Sequence, residues 1–337
     1  MLPGAPAAAD FSAPRAGEVA DTARATQLLK RHAALPVRPW FVPDAATIPA
    51  GEAGNEIRRG KALLEQTARS IGPNAPDPGK RFAGNNLNCV QCHAAGPSGL
   101  PGTKPYALPL VNVAHEYPKL DVKSMKVITL QDRIAGMVGK GPVGGIPPDS
   151  AEMRAIVAYL KWLGSGGKPD TRMAKTGLYE AALPSRPANT KRGEQVYRAQ
   201  CIACHQPDGT GVKQADFARG GGYSFPPIAG NDSYDDGGHM AMVPLMTRFL
   251  LLNMPYGASE QSRKLSLDDA YDVAAYVVNE LPRKHNPGRV QSYPNENFRP
   301  GGFVIPEQFP GSPAAYQRAR LGPFADPPAL AVSAGTR

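Results

Sequence analysis

The sequence is poor in aromatic residues, has four cysteines and contains no long apolar run. No stretch approaches the roughly 20 consecutive apolar residues that a membrane helix requires, so we expect no membrane span. Lys and Arg are scattered and never form a run of five or six, which argues against nucleic-acid binding. Because Phe, Trp and Tyr together make up only 7% of the chain, a small domain must fill its core in another way, and a large flat ligand would serve.

Glycine and proline are abundant by contrast, at 36 residues each among 337. No three-residue period accompanies them, so they predict many turns and long ordered loops rather than a collagen-like chain. The formal net charge is +9 and the pI is near 9.4. A basic surface of this kind favours acidic protein partners or anionic substrates.

All four cysteines belong to one repeated pattern, which reads Cys89-Val90-Gln91-Cys92-His93 and Cys201-Ile202-Ala203-Cys204-His205. Cys-x-x-Cys-His is the attachment signature of c-type haem. Two thiols about one helical turn apart can each add to one vinyl group of a porphyrin, and the histidine that follows becomes the proximal iron ligand. A zinc site or a thioredoxin-like redox pair is possible on paper, but two copies with His attached and no other cysteine leave little room for either. The sequence therefore predicts two covalently bound haem c groups and no disulfide.

The same motifs bear on where the protein works. Haem attachment of this kind takes place outside the bacterial cytoplasm, which predicts a periplasmic protein. The Ala-rich segment at residues 1–10 resembles the end of a signal peptide, so we expect the export signal to have been removed or to lie outside this sequence.

Each half of the chain repeats a pair of predicted helices around its cysteines. An Arg-Gly pair lies near the start of the first helix, which covers residues 57–67 in one half and 191–200 in the other. The second helix has an acidic first turn and apolar residues at helical spacing, over residues 150–163 and 267–281. The first half carries an extra loop at residues 68–88. Two such helices crossing beside a haem form the class I cytochrome c plan.

We therefore expect a mainly α-helical protein with two class I cytochrome c domains in tandem, long ordered loops and an irregular C-terminal extension. Domain 1 (haem 1) covers residues 41–164 and domain 2 (haem 2) covers residues 191–282. Residues 1–40 form an N-terminal extension, residues 165–190 a linker and residues 283–337 the C-terminal extension.

Two of the nine methionines occupy matching places in the repeat. Met137 precedes Tyr159 by 22 residues, and Met254 precedes Tyr276 by the same number. Both follow an apolar helical run and both precede a loop rich in Gly or Pro. Since methionine is the usual distal ligand of electron-transfer cytochromes and raises the potential, we predict that Met137 ligates haem 1 and Met254 ligates haem 2.

Other assignments stay open at this point. Methionine is a common gap-filler in protein cores, so either residue could be packing alone. Met240 and His239 are rivals for the second iron, and His115 is a weaker rival for the first. The remaining histidines, His32 and His285, are expected at the surface.

Several segments together resemble a known family. They are residues 48–63, 84–89, 127–134, 149–153, 225–227, 253–255, 272–276 and 321–324. Over about residues 40 to 325 the chain resembles the dihaem thiosulfate dehydrogenases of the periplasm. That family couples two thiosulfate ions into tetrathionate at its first haem, whose distal ligand is a cysteine. This resemblance implies the same two-haem fold and a small sulfur anion as substrate.

The chain departs from that family at the distal ligand of haem 1. The segment reads Arg133-Ile134-Ala135-Gly136-Met137-Val138-Gly139-Lys140-Gly141, so a thioether replaces the thiolate and the family's Arg-Ser pair is absent. Arg133 remains one turn before the ligand, and Lys140 and Lys123 are further candidate contacts for an anion.

The departure favours an electron carrier over an enzyme. Two six-coordinate His/Met centres would accept electrons from a dehydrogenase and pass them to an acidic redox partner. The alternative is a thiosulfate dehydrogenase-like oxidoreductase that acts on a small sulfur anion at haem 1, with methionine moving away from the iron. A subunit of a larger redox complex is a third possibility, compatible with the carrier.

The cysteine pattern makes one prediction about cofactor load. The intact mass measured under denaturing conditions should exceed the polypeptide mass by two haem groups, because thioether bonds survive unfolding. A mass equal to the bare polypeptide, or to one with bound zinc, would contradict the interpretation of both motifs.

Overall fold

The structure is a computed structural model that describes residues 12–325, so the Ala-rich segment at residues 1–10 lies outside the described residues. The described chain is mainly α-helical, as predicted. Its helices are α1 Thr22–Ala34, α2 Gly51–Glu65, α3 Thr67–Ile71, α4 Val113–Glu116, α5 Leu130–Val138, α6 Ala151–Leu163, α7 Thr190–Gln200, α8 Ile202–His205, α9 Val243–Asn253, α10 Leu267–Asn279 and α11 Pro313–Leu321. None of them is long and apolar enough to cross a membrane.

The strands are short and form only two-stranded sheets among the described residues. They are β1 Val37–Arg38, β2 Lys119–Asp121, β3 Lys126–Ile128, β4 Lys140–Gly141, β5 Gly144–Gly145, β6 Arg172–Met173, β7 Val212–Lys213 and β8 Tyr223–Phe225. The antiparallel pairs are β2–β3, β4–β5 and β7–β8, while β1 and β6 pair in parallel. These hairpins and the β1–β6 pair fasten loops to the helices without building a sheet core.

The predicted helix pairs form and are capped as the sequence indicates. Ser150 and Ser266 precede α6 and α10, and each hydroxyl accepts a hydrogen bond from the amide three residues later. Helix α2 begins at Gly51, six residues before the predicted start, because its first turn is mostly exposed and carries no apolar pattern. The apolar face that allowed this helix to be predicted starts only at Ile57.

Each helix pair crosses at a glycine. A Cβ atom on Gly60 of α2 would lie 2.0 Å from the carbonyl oxygen of Ala155 in α6. A Cβ atom on Gly193 of α7 would lie 2.1 Å from the carbonyl oxygen of Asp272 in α10. Only glycine therefore permits the backbones to touch at these two points.

Two separate hydrophobic cores surround the two crossings. The first contains Leu64, Met153 and Tyr159, and the second contains Tyr197, Leu251 and Tyr271. Cys89 packs against the first core and Cys201 against the second.

The C-terminal extension returns over both halves of the chain. It is irregular up to Phe309 apart from short 3₁₀ turns, and then forms α11, which the sequence analysis did not predict. Ser312 caps this helix and Pro313 occupies its first position, a favoured site for proline. Phe298 of the extension packs with Ala25 and Met125 in a small cluster of its own.

The glycine crossings generate a prediction about stability. Gly60→Ala and Gly193→Ala should each lower the free energy of unfolding by about 1–3 kcal/mol, the usual cost of forcing atoms into a packed interface. Gly136→Ala is the matched control, because a Cβ there meets no atom within 4 Å and the residue lies within α5. Denaturant unfolding of the haem-loaded protein measures all three. Equal stability of the Gly60 and Gly136 variants would contradict the crossing argument.

Candidate haem sites

The second attachment motif begins where α7 ends, whereas α3 and a long loop separate α2 from the first motif. Cys201 caps α7, and Ile202–His205 forms α8 directly after it. In the first half, Cys89–Gln91 forms a 3₁₀ turn with a capping box between Asn88 and Gln91.

Burial raises the pKa of Cys89, Cys92 and Cys201, which favours the neutral form of these three thiols. Burial raises the pKa of Cys92 to about 11, with a further contribution from Cys89, and burial also raises the pKa of Cys201 to about 11. A reactive redox pair needs the opposite shift, since the thiolate is the nucleophile. No group of three or more His, Cys, Asp or Glu in the described range 12–325 could hold a metal ion. Neither a thioredoxin-like site nor a zinc site fits this arrangement.

Both proximal histidines are oriented by a backbone carbonyl. His93 Nδ1 lies 2.5 Å from the oxygen of Leu108, and His205 Nδ1 lies 2.8 Å from the oxygen of Pro226. A carbonyl can only accept, so Nδ1 carries the hydrogen and Nε2 keeps its lone pair for iron. Burial lowers the pKa of both imidazoles, which favours the neutral form that a metal requires.

The donor set at each motif therefore fits a c-type haem. Each site offers two cysteines for covalent attachment and one imidazole whose Nδ1 is already hydrogen-bonded to a carbonyl oxygen. The acceptors Leu108 and Pro226 were missed by the sequence analysis. A signal was present, because each is followed directly by a proline, Pro109 and Pro227.

The predicted distal methionines lie at corresponding ends of two helices. Met254 follows α9 as its C-cap and packs against the second core. Met137 lies inside the last turn of α5, one residue before its end, and is 60% exposed. Both remain candidates for the sixth coordination position.

The rival ligands fall in different places. His115 Nε2 lies 2.9 Å from the carbonyl oxygen of Gly164, so that nitrogen is already engaged at the end of α6. His239 lies near Arg133 and Lys123, and burial of the imidazole together with these two cations lowers its pKa to about 4. It thus faces residues of the first half of the chain. Met240 packs against the second core, as Met254 does.

The two remaining histidines differ from each other. His285 is exposed and pairs with Asp236 at 3.0 Å, as the surface prediction implies. The prediction was wrong for His32. Its Nε2 is buried, and burial lowers its pKa to about 4, because α1 packs close to Glu116 and Lys119.

The predicted anion contacts are only partly available. Arg133 Nε donates to the Tyr117 hydroxyl at 3.0 Å, and its Nη2 approaches Asp121 at 3.3 Å. Lys123 Nζ donates to the carbonyl oxygen of Gly237 at 2.7 Å. Lys140 is exposed on the β4–β5 hairpin. Sequence alone could not show that Arg133 is shared with a carboxylate.

The chain resembles known proteins along most of its length. A family profile described as "Cytochrome c" matches residues 190–280. Thiosulfate dehydrogenase of Allochromatium vinosum is 34% identical over 238 residues, which cover 70% of this chain and 82% of that protein. Thiosulfate dehydrogenase of Psychrobacter arcticus is 30% identical over 291 residues, or 86% of this chain and 78% of that protein.

A solved structure supports the same relationship. It is the "as isolated" form of thiosulfate dehydrogenase (TsdBA) from Marichromatium purpuratum, with a TM-score of 0.61 and 28% identity. The match covers 71% of this chain and 49% of that one, so this chain spans about half the length of that protein. These relationships confirm the predicted helical cytochrome fold and covalently bound haem c. This chain belongs to the thiosulfate dehydrogenase family of c-type cytochromes.

Proposed function

We propose that the protein is a periplasmic oxidoreductase that oxidises a small sulfur anion at haem 1 and delivers the electrons through haem 2 to a redox partner. Its relationship to proteins named thiosulfate dehydrogenase carries this proposal. That relationship favours the enzyme over the electron carrier to which the sequence analysis gave preference. Joining two thiosulfate ions through a new S–S bond releases two electrons, so the reaction needs an acceptor. Haem c, when bound, accepts and passes on electrons singly.

The chain supplies the groups that such a site needs. Cys89, Cys92 and His93 would hold haem 1, and Cys201, Cys204 and His205 would hold haem 2. The cations beside α5 would attract the anion: Arg133 and Lys123 together carry two positive charges against the single negative charge of Asp121. Lys140 at the nearby hairpin adds to this positive field.

The surroundings of the two distal methionines support a division of labour. Met137 follows Gly136, where an added Cβ would meet no atom within 4 Å. It precedes the hairpin that starts after Gly139 and carries the exposed Lys140. Met254 instead follows the buried Asn253 and packs on the second core. A methionine that can swing away opens haem 1 to substrate, while a held methionine suits haem 2 for electron transfer.

Electron carriage alone is the second candidate, and Met137 is the observation that favours it. A thioether is neutral and cannot form the covalent sulfur link that the family's cysteine can. In this case the basic surface would steer the protein to an acidic partner, and the rate would fall as salt rises.

The ligand assignment predicts two separable effects. Met137→Ala and Met254→Ala should each remove one of the two methionine–iron charge-transfer signatures in the near-infrared and lower one of the two potentials. Met242→Leu is the matched control, because Met242 is buried against Tyr293 and Phe303 and the change preserves volume. If either alanine variant leaves both haem spectra unchanged, that assignment is wrong. Met240 or His239 would then be tested.

The replacement of cysteine by Met137 predicts the rate of catalysis. The wild type should form tetrathionate from thiosulfate slowly with an artificial acceptor, and Met137→Cys should raise the turnover by about tenfold or more, equivalent to about 1.4 kcal/mol of barrier. If thiosulfate reduces neither haem in the wild type or in the variant, the proposed function is contradicted and electron carriage remains as the function. Rapid turnover by the wild type would exclude the carrier instead.

A further inference from the structure

The loop that follows α9 is fastened to the other half of the chain. We call residues 253–264, which start at the last residue of α9, the distal loop. Residues 104–108 are the proximal loop, which ends at the carbonyl that orients His93. Asn253 Nδ2 donates to the carbonyl oxygen of Tyr106 at 3.0 Å. Lys104 Nζ donates to the carbonyl oxygen of Ala258, also at 3.0 Å. Both ends of the distal loop's first turn are therefore held by the proximal loop.

The linker also contacts the distal loop. Lys175 pairs with Glu260 of the distal loop at 2.7 Å. Arg263 lies over the ring of Tyr179 at 4.9 Å, and Tyr179 meets Tyr106 edge to face at 5.4 Å. The distal loop thus contacts polar, charged and aromatic groups of two other segments, the proximal loop and the linker.

Asn253 is an unusual residue for its position. It is 4% exposed and follows Leu250, Leu251 and Leu252, which are all buried. Its Nδ2 also donates to the carbonyl oxygen of Phe249 at 2.9 Å, whereas its Oδ1 has no hydrogen-bond partner in the described part of the chain. Burying an amide costs free energy unless its hydrogen bonds are made. The bond to Tyr106 offsets that cost only while the two loops stay in register.

The proximal loop holds a strained backbone at this point. Tyr106 has φ +59° and Leu108 has φ +50°, both in the left-handed region that disfavours residues with a Cβ. The strain has a consequence for hydrogen bonding: the carbonyl of Tyr106 is directed at Asn253 and that of Leu108 at His93. Strain of this kind persists only where surrounding contacts fix it, and it clusters at functional sites.

From this geometry we infer that the proximal loop of haem 1 is a positioning element for Met254, the distal ligand of haem 2, and that Asn253 is the positioning residue between them. The inference rests on the proposed ligation of haem 2 by Met254. The Leu108 carbonyl orients His93 and the Tyr106 carbonyl holds Asn253, and only Ala107 lies between these two residues. A shift of the His93 ring is therefore transmitted to the residue beside Met254, and by thermodynamic reciprocity a shift of Met254 acts back on His93.

The test uses the full-length protein with both haems. Asn253→Leu removes the amide that donates to Tyr106 at nearly constant side-chain volume. Lys104→Met removes the hydrogen bond to the carbonyl oxygen of Ala258. Each variant should raise the population of the methionine-dissociated form of haem 2 by about tenfold, which is the effect of losing roughly 1.4 kcal/mol of hydrogen bonding. The measurement is the temperature dependence of the methionine–iron charge-transfer band, together with the two haem potentials.

Arg69→Met is the matched control. Arg69 also pairs across the two halves of the chain, with Asp216, but away from both loops. Arg69→Met should leave the methionine–iron charge-transfer band and both haem potentials unchanged. The control therefore distinguishes a general loosening of the contact between the halves from a specific loss of Met254 positioning.

Two further outcomes separate the inference from its premise. If Met254→Ala leaves the haem 2 signature intact, the ligand assignment fails. If Met254→Ala abolishes the signature while Asn253→Leu and Lys104→Met leave it unaltered, the ligand assignment stands and the positioning role is overturned. An identical loss in the Arg69 variant would overturn it as well.

Discussion

Backbone-to-backbone contact at two glycines is the constraint on which the rest of this protein depends. Because α2 and α7 touch their partner helices at Gly60 and Gly193, the cysteines that follow start from a fixed place. Cys201 follows α7 directly, but α3 and a long loop separate α2 from Cys89. Thr67 bridges that insertion. Its buried hydroxyl donates to the carbonyl of Leu63 and accepts from the amide of Cys89 at 3.0 Å, so both attachment motifs stay tied to their crossing.

Polar groups join the two halves, beside apolar contacts such as that of Tyr106 with the second core. Asp232 accepts hydrogen bonds from the backbone and side-chain amides of Asn86 and from the Tyr223 hydroxyl. Burial and the hydrogen bond to Asp232 raise the pKa of Tyr223, so its phenol stays protonated and donates. Buried polar contacts contribute modest net stability but permit only one register, since a shifted register leaves donors unsatisfied. The relative placement of the two candidate haem sites is therefore specified by direction-dependent bonds.

The sequence predicted what depends on local pattern and left out what depends on distant partners. The Cys-x-x-Cys-His motifs and the periodic apolar faces of α6 and α10 carry their meaning within a few residues. Arg133 was read as an anion contact, yet its charge is shared with Asp121 across the β2–β3 hairpin. The carbonyl of Tyr106 is 147 residues from Asn253 along the chain. No periodicity encodes such a bond, and only the folded chain brings its two ends together.

In the proposed ligation of haem 1 by Met137, a thioether in place of a thiolate would change the electrostatics of the site as well as its ligand chemistry. A thiolate at position 137 would add a negative charge within one helical turn of Arg133. With neutral Met137 that negative charge is absent, so Arg133 and Lys123 would be offset by fewer negative charges. In the proposed function, an incoming anion would therefore meet a more attractive site than it would beside a thiolate. The same exchange that removes the nucleophile would strengthen the positive field that attracts the anion, so affinity and turnover would depend on position 137 in opposite directions.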